Sequence, residues 1–314
     1  NPIVMSNLKK MHKLAKILER KRCERGALQF SFSEEIFEFD KNLLLTGIKL
    51  SYQSTAMKII EQFMLEANET VAKHCVKNKI PSIYRVHDSP DSKKVKKLKT
   101  IFLRFGFKTP IKSLTESKKF NKIIENIKTL KNSEQLQILL LRSMSLAIYE
   151  TKNKGHFGLA AKYYTHFTSP IRRFPDVMVH RLISDYTNGS KPKDKRYYDI
   201  MCKHSSKMEI NATKAERESI KYKQAEYMSN FIGKEFEAVI SGITEWGMYG
   251  EITENNCEGL IKMSSMKDDR YDFDDQKIRI IGRNNKKIFR LGQVIRVKVT
   301  DTDIEKRTID LVLA

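Results

Sequence analysis

The chain has 314 residues, 40% of them apolar, and carries 59 lysines and arginines against 38 acids for a net charge of +21. That apolar content can bury a core and that length allows two or more folding units, which excludes a single disordered tail. The charge excess favours a polyanionic partner, nucleic acid first, although lysines spread over solvated faces would give the same sum.

In chain order, residues Asn1 to Lys16 are amphipathic and basic without the apolar centre of a secretion signal. No apolar run approaches the roughly 18 residues that cross a bilayer, so no membrane association is expected. The chain opens on Asn1 and not on a methionine; a processed product, a proteolytic remnant or a cut piece is expected. Met57, Ile60, Met64, Leu65, Val71, Ala72 and Cys75 recur at three and four, which predicts one amphipathic helix from Ser54 to about Asn78 with those residues facing a core. Ile80 to Asp88 reads as a short strand between Pro81 and Ser89-Pro90. The lysines Lys93, Lys94, Lys96, Lys97 and Lys99 read as a solvated helix face, with part of an RNA path as the competing reading. Further helices are predicted from Ser117 to about Leu130 and from Ser133 through the apolar run Ile138 to Leu141. A surface loop at Thr187 to Lys195 precedes a long polar helix from about Arg196 to Asn230. After Gly233 the texture changes to short β-favouring runs around Phe236, Val239, Ile252, Ile261, Val297, Val299 and Leu311, punctuated by glycines, which predicts a small β-barrel.

Cys23, Cys75, Cys202 and Cys257 are far apart and form neither the close pairs of a zinc site nor a disulfide framework. Reduced thiols and a cytoplasmic location are expected.

The most informative stretch is Gly155-His156-Phe157-Gly158-Leu159, followed by Tyr164 and the run Thr165 to Asp176, closing at His180-Arg181. Its residues predict Ser169 as a helix N-cap with Pro170 in the first helical position. The helix start would then be an anion site, with Arg172 and Arg173 offering forked donors to phosphate and Asp176 pairing with His180 one turn on. A capped helix with solvated arginines fits the same pattern. Glu61 and Asn68 lie nearly two turns apart inside the predicted apolar stripe, and as buried polar groups need partners, either each other or a bound nucleotide. Glu216, in the long helix, reads as a solvated glutamate from sequence alone.

The order Thr-His-Phe-Thr-Ser-Pro-Ile-Arg-Arg-Phe-Pro-Asp at 165–176, with His-Phe-Gly-Leu upstream and His-Arg downstream, resembles the signature of the RNB catalytic domain of the RNase R and ribonuclease II family. Glu24-Arg25-Gly26-Ala27, Tyr84-Arg85-Val86-His87-Asp88 and Leu140-Leu141-Arg142-Ser143-Met144 are similar to family segments in the same order. Phe174 departs from the family's tyrosine, keeping an aromatic and losing a hydroxyl. The resemblance implies a processive hydrolase that degrades RNA from its 3′ end to nucleoside 5′-monophosphates. Arg172 would contact the scissile phosphate, while His166, Thr168, Ser169 and Arg173, with Glu61, Asn68 and Glu216, are counted among the RNA-binding residues. Such enzymes use magnesium held by closely spaced aspartates in an Asp-x-Asp-Asp pattern, which is expected upstream of Asn1, so that this chain alone would be inactive. The acidic run Asp268, Asp269, Asp272, Asp274 and Asp275 reads as a loop insertion in the barrel and is assigned no metal.

Residues Ile232 to Leu311 resemble the ribosomal-S-one-type RNA-binding domain, an OB-fold barrel that stacks bases on exposed aromatics. Trp246 and Tyr249 are the candidates here, with Lys262 where the family favours histidine and Met248 where it favours an aromatic. A core position for Trp246 is the competing reading. The expected fold class is α+β: the helix-rich C-terminal portion of an RNB catalytic domain at 1–231, then a five-stranded OB-fold barrel at 232–314. A monomer acting on the 3′ end of single-stranded RNA is expected; association with an RNA helicase or the ribosome is left open, as is a truncated, non-catalytic RNA binder.

Overall fold

The computed structural model describes residues 1–30, 32–104, 114–129, 133–274 and 278–314. Its elements are α1 (Pro2–Arg25), β1 (Glu34–Phe39), β2 (Leu45–Ser51), α2 (Thr55–Lys77), β3 (Tyr84–Val86), α3 (Ser92–Arg104), α4 (Ser117–Lys128), α5 (Ser133–Ser143), β4 (Ile148–Glu150), α6 (Phe174–Thr187), α7 (Lys195–Met228), β5 (Glu235–Thr244), β6 (Gly247–Ile252), β7 (Glu258–Lys262), β8 (Tyr271–Asp274), β9 (Arg279–Gly282), β10 (Ile288–Arg290), β11 (Val294–Asp303) and β12 (Thr308–Leu313). They gather into one unit of residues 1–31, 53–129 and 137–211 and another of residues 32–52, 130–136 and 212–314. The fold is α+β, as expected, and the second unit holds a closed five-stranded barrel. The predicted end of α4 at Leu130 lies outside the described residues.

In the first unit, α2 starts where the Ser54 hydroxyl accepts the Met57 N–H at 3.2 Å, satisfying one of the donors a helix start leaves free. Its buried face is Ile59, Gln62, Leu65, Asn68, Glu69, Ala72 and Cys75. The predicted stripe is therefore corrected at its N-terminal end: Met57 and Ile60 are 52% and 63% exposed. The cause is α1, whose Arg22 donates to Gln62 at 2.6 Å and whose Arg25 forks onto both oxygens of Glu69 at 3.0 and 2.5 Å. A carboxylate that is only 5% exposed needs such a partner, and its presence turns α2 toward a face that includes polar side chains. Strands β3 and β4 pair antiparallel, and Ile83, just before β3, and Tyr149 of β4 pack with Met178, Val179 and Leu182 of α6 and with Tyr198 and Cys202. On α3 the lysines Lys93, Lys94 and Lys96 are exposed while Val95, Leu98 and Phe102 are buried, a solvated face as the sequence predicted, although Lys99, predicted on the same face, is half-buried. The side chain of Lys97 lies outside the described residues.

In the second unit the barrel closes in the order β11-β12-β7-β6-β5, antiparallel except where β12 runs parallel to β7. Alternation along β11 sends Ile295, Val297 and Val299 inward against Ala238, Ile240, Met248, Ile261 and Leu311, as a period of two requires. Bulges between Ile240 and Gly242 and between Val299 and Asp301 supply the bends a small barrel needs. Two additions escaped the sequence reading. Strands β1 and β2 form a hairpin whose Ile48 joins the barrel's core, and β8, β9 and β10 form a separate three-stranded sheet between β7 and β11 in sequence. Of the acidic run predicted as a loop insertion, Asp268 and Asp269 stand in the turn before that sheet and Asp272 and Asp274 on β8; Asp275 lies outside the described residues.

At Gly259 a Cβ would stand 2.6 Å from the Leu311 side chain and 2.9 Å from the Ile309 carbonyl oxygen. Gly259→Ala is therefore expected to cost the barrel about 2 kcal/mol of stability through overpacking. Urea unfolding followed by the fluorescence of Trp246, the one tryptophan of the chain, reads this directly.

Candidate functional site

The informative stretch forms a clamped turn in the first unit. Tyr164 accepts the Arg85 N–H with its carbonyl at 3.0 Å, and the Thr165 hydroxyl donates to the Ile83 carbonyl at 2.5 Å, so the chain runs beside β3. Phe167 is fixed at three points: its N–H donates to the Asn68 side-chain oxygen at 3.0 Å, its carbonyl is 2.8 Å from His180 Nε2, and its ring stacks on the His180 imidazole at 3.9 Å and 3°. The chain then turns tightly, the Arg172 and Arg173 N–H groups both donating to the Ser169 carbonyl at 3.3 and 3.1 Å.

This corrects the predicted cap. Helix α6 begins at Phe174 with Arg173 as its N-cap residue and Pro175 in its first turn, five residues after Ser169. The physical reason is Asp176, which is fully buried. Its Oδ2 accepts the Ser169 N–H at 2.8 Å and the Arg173 guanidinium at 3.2 and 2.8 Å. One carboxylate thus joins both ends of the turn and does not pair with His180, the partner predicted for it. Arg173, predicted to face phosphate, has a side chain only 17% exposed and is committed to this buried pair. Arg172 is exposed, and its side chain makes no hydrogen bond or ion pair among the described residues; Thr168 of the same stretch is exposed too. The turn therefore presents one unneutralised guanidinium from a backbone fixed on both sides.

Behind the turn lies a cluster of rings. His166 Nδ1 is 2.8 Å from the Tyr149 hydroxyl, and Tyr164 meets His166 and His156 edge to face, with His87 next to His156. The Arg85 guanidinium lies 4.6 Å from the Tyr149 ring centre and forks onto Glu209 at 2.5 and 2.9 Å. Burial, with Arg173 and Arg85 close by, pulls His166 down to about 2, and burial with His87 and Arg85 pulls His156 down to about 3. Burial pushes Tyr149 up to about 12. His166 is thus a neutral ring at physiological pH, able to hydrogen-bond or stack but not to supply charge.

The remaining predicted residues are more scattered. Asn68 is fully buried as predicted, donating to the Tyr164 hydroxyl at 3.1 Å and accepting from Phe167, so the protein itself engages both ends of its amide. Glu61 is corrected: it is half-buried, lies off the stripe and accepts from Gln53 at 2.6 Å. Glu216 is an exposed glutamate of α7, with no partner among the described residues. In the second unit Trp246 is 57% exposed in the turn from β5 to β6, which rules out the core reading, and Tyr249 is half-buried on β6. Lys262 is exposed but held 2.5 Å from Asp310, an exposed pair worth little in water. Met248 is fully buried in the barrel, so its side chain cannot stack a base. Sequence reasoning missed Asp176 as the clamp, and it missed Tyr149 and Glu209 altogether; a carboxylate three residues after an arginine at a helix start was the available signal for the first.

The acidic run is spent on structure. Asp269 accepts N–H groups from Arg270, Asn284 and Asn285, Asp268 accepts the Tyr271 hydroxyl, and Asp272 and Asp274 pair with Arg283 and Arg279.

Removing Asp176 leaves Arg173 and the Ser169 N–H without their shared partner, so Asp176→Ala is expected to destabilise the first unit by about 3 kcal/mol or more, measured by hydrogen exchange of α2 and α6 amides. A second expectation concerns pH. His156 and His166 hold protons less tightly folded than unfolded, so below about pH 6.5 the unfolded chain takes up protons that the folded chain refuses, and stability falls. Between pH 7.5 and 5.5 each should cost about 1.4 kcal/mol, and His156→Gln with His166→Gln should flatten that slope in the same exchange experiment.

Residues 1–189 match the RNB domain family model and residues 229–313 match that of the S1 RNA binding domain. The chain is 39% identical over 99% of its length to Ribonuclease R of Aquifex aeolicus, covering 45% of that protein. It superposes on Mycoplasma genitalium RNase R, in the apo form and in complex with ribose methylated single-stranded RNA, with a TM-score of 0.93 in each case at 29% identity, covering 100% of this chain and 50% of that one. The chain spans less than half the length of the curated relatives it matches. With 189 of its 314 residues matched by one family model, and the clamped Arg172 turn lying inside that match, the chain belongs to the RNB domain family and carries an S1 RNA binding domain at its C-terminal end.

Proposed function

We propose that this chain is part of a processive hydrolytic exoribonuclease that shortens single-stranded RNA from its 3′ end and releases nucleoside 5′-monophosphates. The observation that carries the reading is Arg172, an unpaired guanidinium held on a braced turn within the RNB match. A fixed positive charge at the scissile phosphate stabilises charge that grows as the phosphodiester breaks, and it does so without reorganising in the step. Asp176 holds the turn, Asn68 and His180 hold Phe167, and neutral His166 leaves the positive charge at the phosphate to the arginine. Trp246 and Tyr249 are proposed to stack bases of the incoming strand, supported by the exposure of Trp246 and the S1 RNA binding domain match.

Among the described residues no three carboxylate, imidazole or thiolate side chains come together as a metal site. Magnesium is assigned to carboxylates outside these 314 residues, on the family resemblance alone; when bound, the metal supplies the activated water. A monomer working in the cytoplasm completes the proposal; the four free cysteines fit a reducing compartment. An RNA helicase or the ribosome is the partner it leaves open.

The test is digestion of a 5′-labelled single-stranded RNA with magnesium by the full-length protein. Stepwise shortening from the 3′ end is expected, slowed about a hundredfold or more by Arg172→Lys, with RNA affinity changed only a few-fold. Unchanged turnover in that variant contradicts the role of Arg172, and RNA bound without any product would favour a non-catalytic binder.

A further inference from the structure

A second cationic feature of the first unit is untouched by the proposed mechanism. A cleft of about 670 Å³ opens between β4 with its following turn and the first part of α7. Its lining includes Tyr149 but none of residues 164–176, so it is not the Arg172 turn. The charged residues around it are Glu150, Lys152, Lys195, Asp199, Lys203 and Lys207. Of the two acids, Glu150 pairs with Lys154 at 2.7 Å, whereas Asp199 accepts the Thr151 hydroxyl at 2.5 Å and keeps its charge, leaving four lysines against one uncompensated carboxylate. The four lysines are exposed, and none makes an ion pair or hydrogen bond among the described residues. Ile148, the buried Cys202 and the half-exposed Ile210 give the cleft an apolar lining.

Four ammonium groups around one cleft outnumber its one uncompensated carboxylate, Asp199, and repel each other, so that an anion placed among them relieves that repulsion. The spacing selects the kind of anion. From Lys195 to Lys207 the helix rises about 18 Å, with Lys203 about 6 Å from Lys207 along the axis, so the charges form a row and not a single pocket. A mononucleotide can meet one end of such a row, whereas a strand with a phosphate at every sugar can follow it while its bases rest on apolar surface. Compact, strongly hydrated lysine heads suit loose, sequence-independent attraction to a backbone.

We propose that this cleft is a second track for single-stranded RNA, holding backbone phosphates along Lys152, Lys195, Lys203 and Lys207 apart from the Arg172 turn. The inference rests on RNA being the protein's ligand and says where an additional length of it lies.

The test is the salt dependence of binding of a single-stranded oligouridylate to the full-length protein, without divalent cations so that the strand is not consumed. Lys152→Gln, Lys203→Gln and Lys207→Gln together are expected to make the slope of log affinity against log salt shallower by about 2, at about 0.7 for each phosphate no longer neutralised. The charge-matched control, Lys9→Gln with Lys10→Gln and Lys13→Gln on the exposed α1, is expected to change it by less than about 0.5. Equal changes in both variants, or none in the cleft variant, overturn the track while leaving RNA as the ligand. Competition by uridine 5′-monophosphate, abolished in the cleft variant, would replace the track with a mononucleotide pocket. Failure of the parent protein to bind the oligonucleotide overturns the track together with the functional reading beneath it.

Discussion

A carboxylate taken fully out of water must find charged or N–H partners, and Asp176 finds its partners at the two ends of one short turn. The geometry of the site depends on that bond. Because Arg173 is drawn inward to neutralise the buried charge, the chain cannot begin α6 at Ser169; the helix waits until Phe174, and the intervening residues project away from the body. Arg172 is left exposed with its charge unspent. The two adjacent arginines are chemically identical and structurally opposite, one a counter-ion 17% exposed and the other free for a ligand.

Much of this was legible in the sequence, and the parts that were not share a cause. Alternating Ile295, Val297 and Val299, with glycines where strands close up, announced the barrel because local periodicity and burial agree there. The stretch from Thr165 to Asp176 announced the site through the order of its residues. What local pattern could not supply were the consequences of long-range polar partners. Ser169-Pro170 has every local mark of a helix start, yet Asp176 captures the Ser169 N–H from the far side of the turn. Met57 and Ile60 have helical spacing, yet Arg22 and Arg25 reach Gln62 and Glu69 from a helix some 40 residues away and turn α2 accordingly. The hairpin of β1 and β2 was unread because its strands Glu34–Phe39 and Leu45–Ser51 mix charged and apolar residues on a half-exposed ribbon.

The charge of the chain is likewise distributed by environment and not by count. Several cations are consumed inside the fold, such as Arg25 on Glu69 and Arg85 on Glu209, while others stand in water without partners. The half-buried His156 and His166 carry none of it at physiological pH, because desolvation and the neighbouring arginines make their protonation unfavourable. Attraction for a polyanion therefore falls to exposed side chains such as Arg172, and these are the groups that salt screens most readily.

Hydrogen exchange of the full-length protein, with and without a single-stranded RNA, tests most directly whether the Asp176-clamped turn receives RNA. Backbone amides between Thr168 and Arg173 should exchange more slowly when the strand is bound, because a ligand on Arg172 suppresses opening of the turn. RNA bound at saturation with exchange across that turn unchanged would contradict that role.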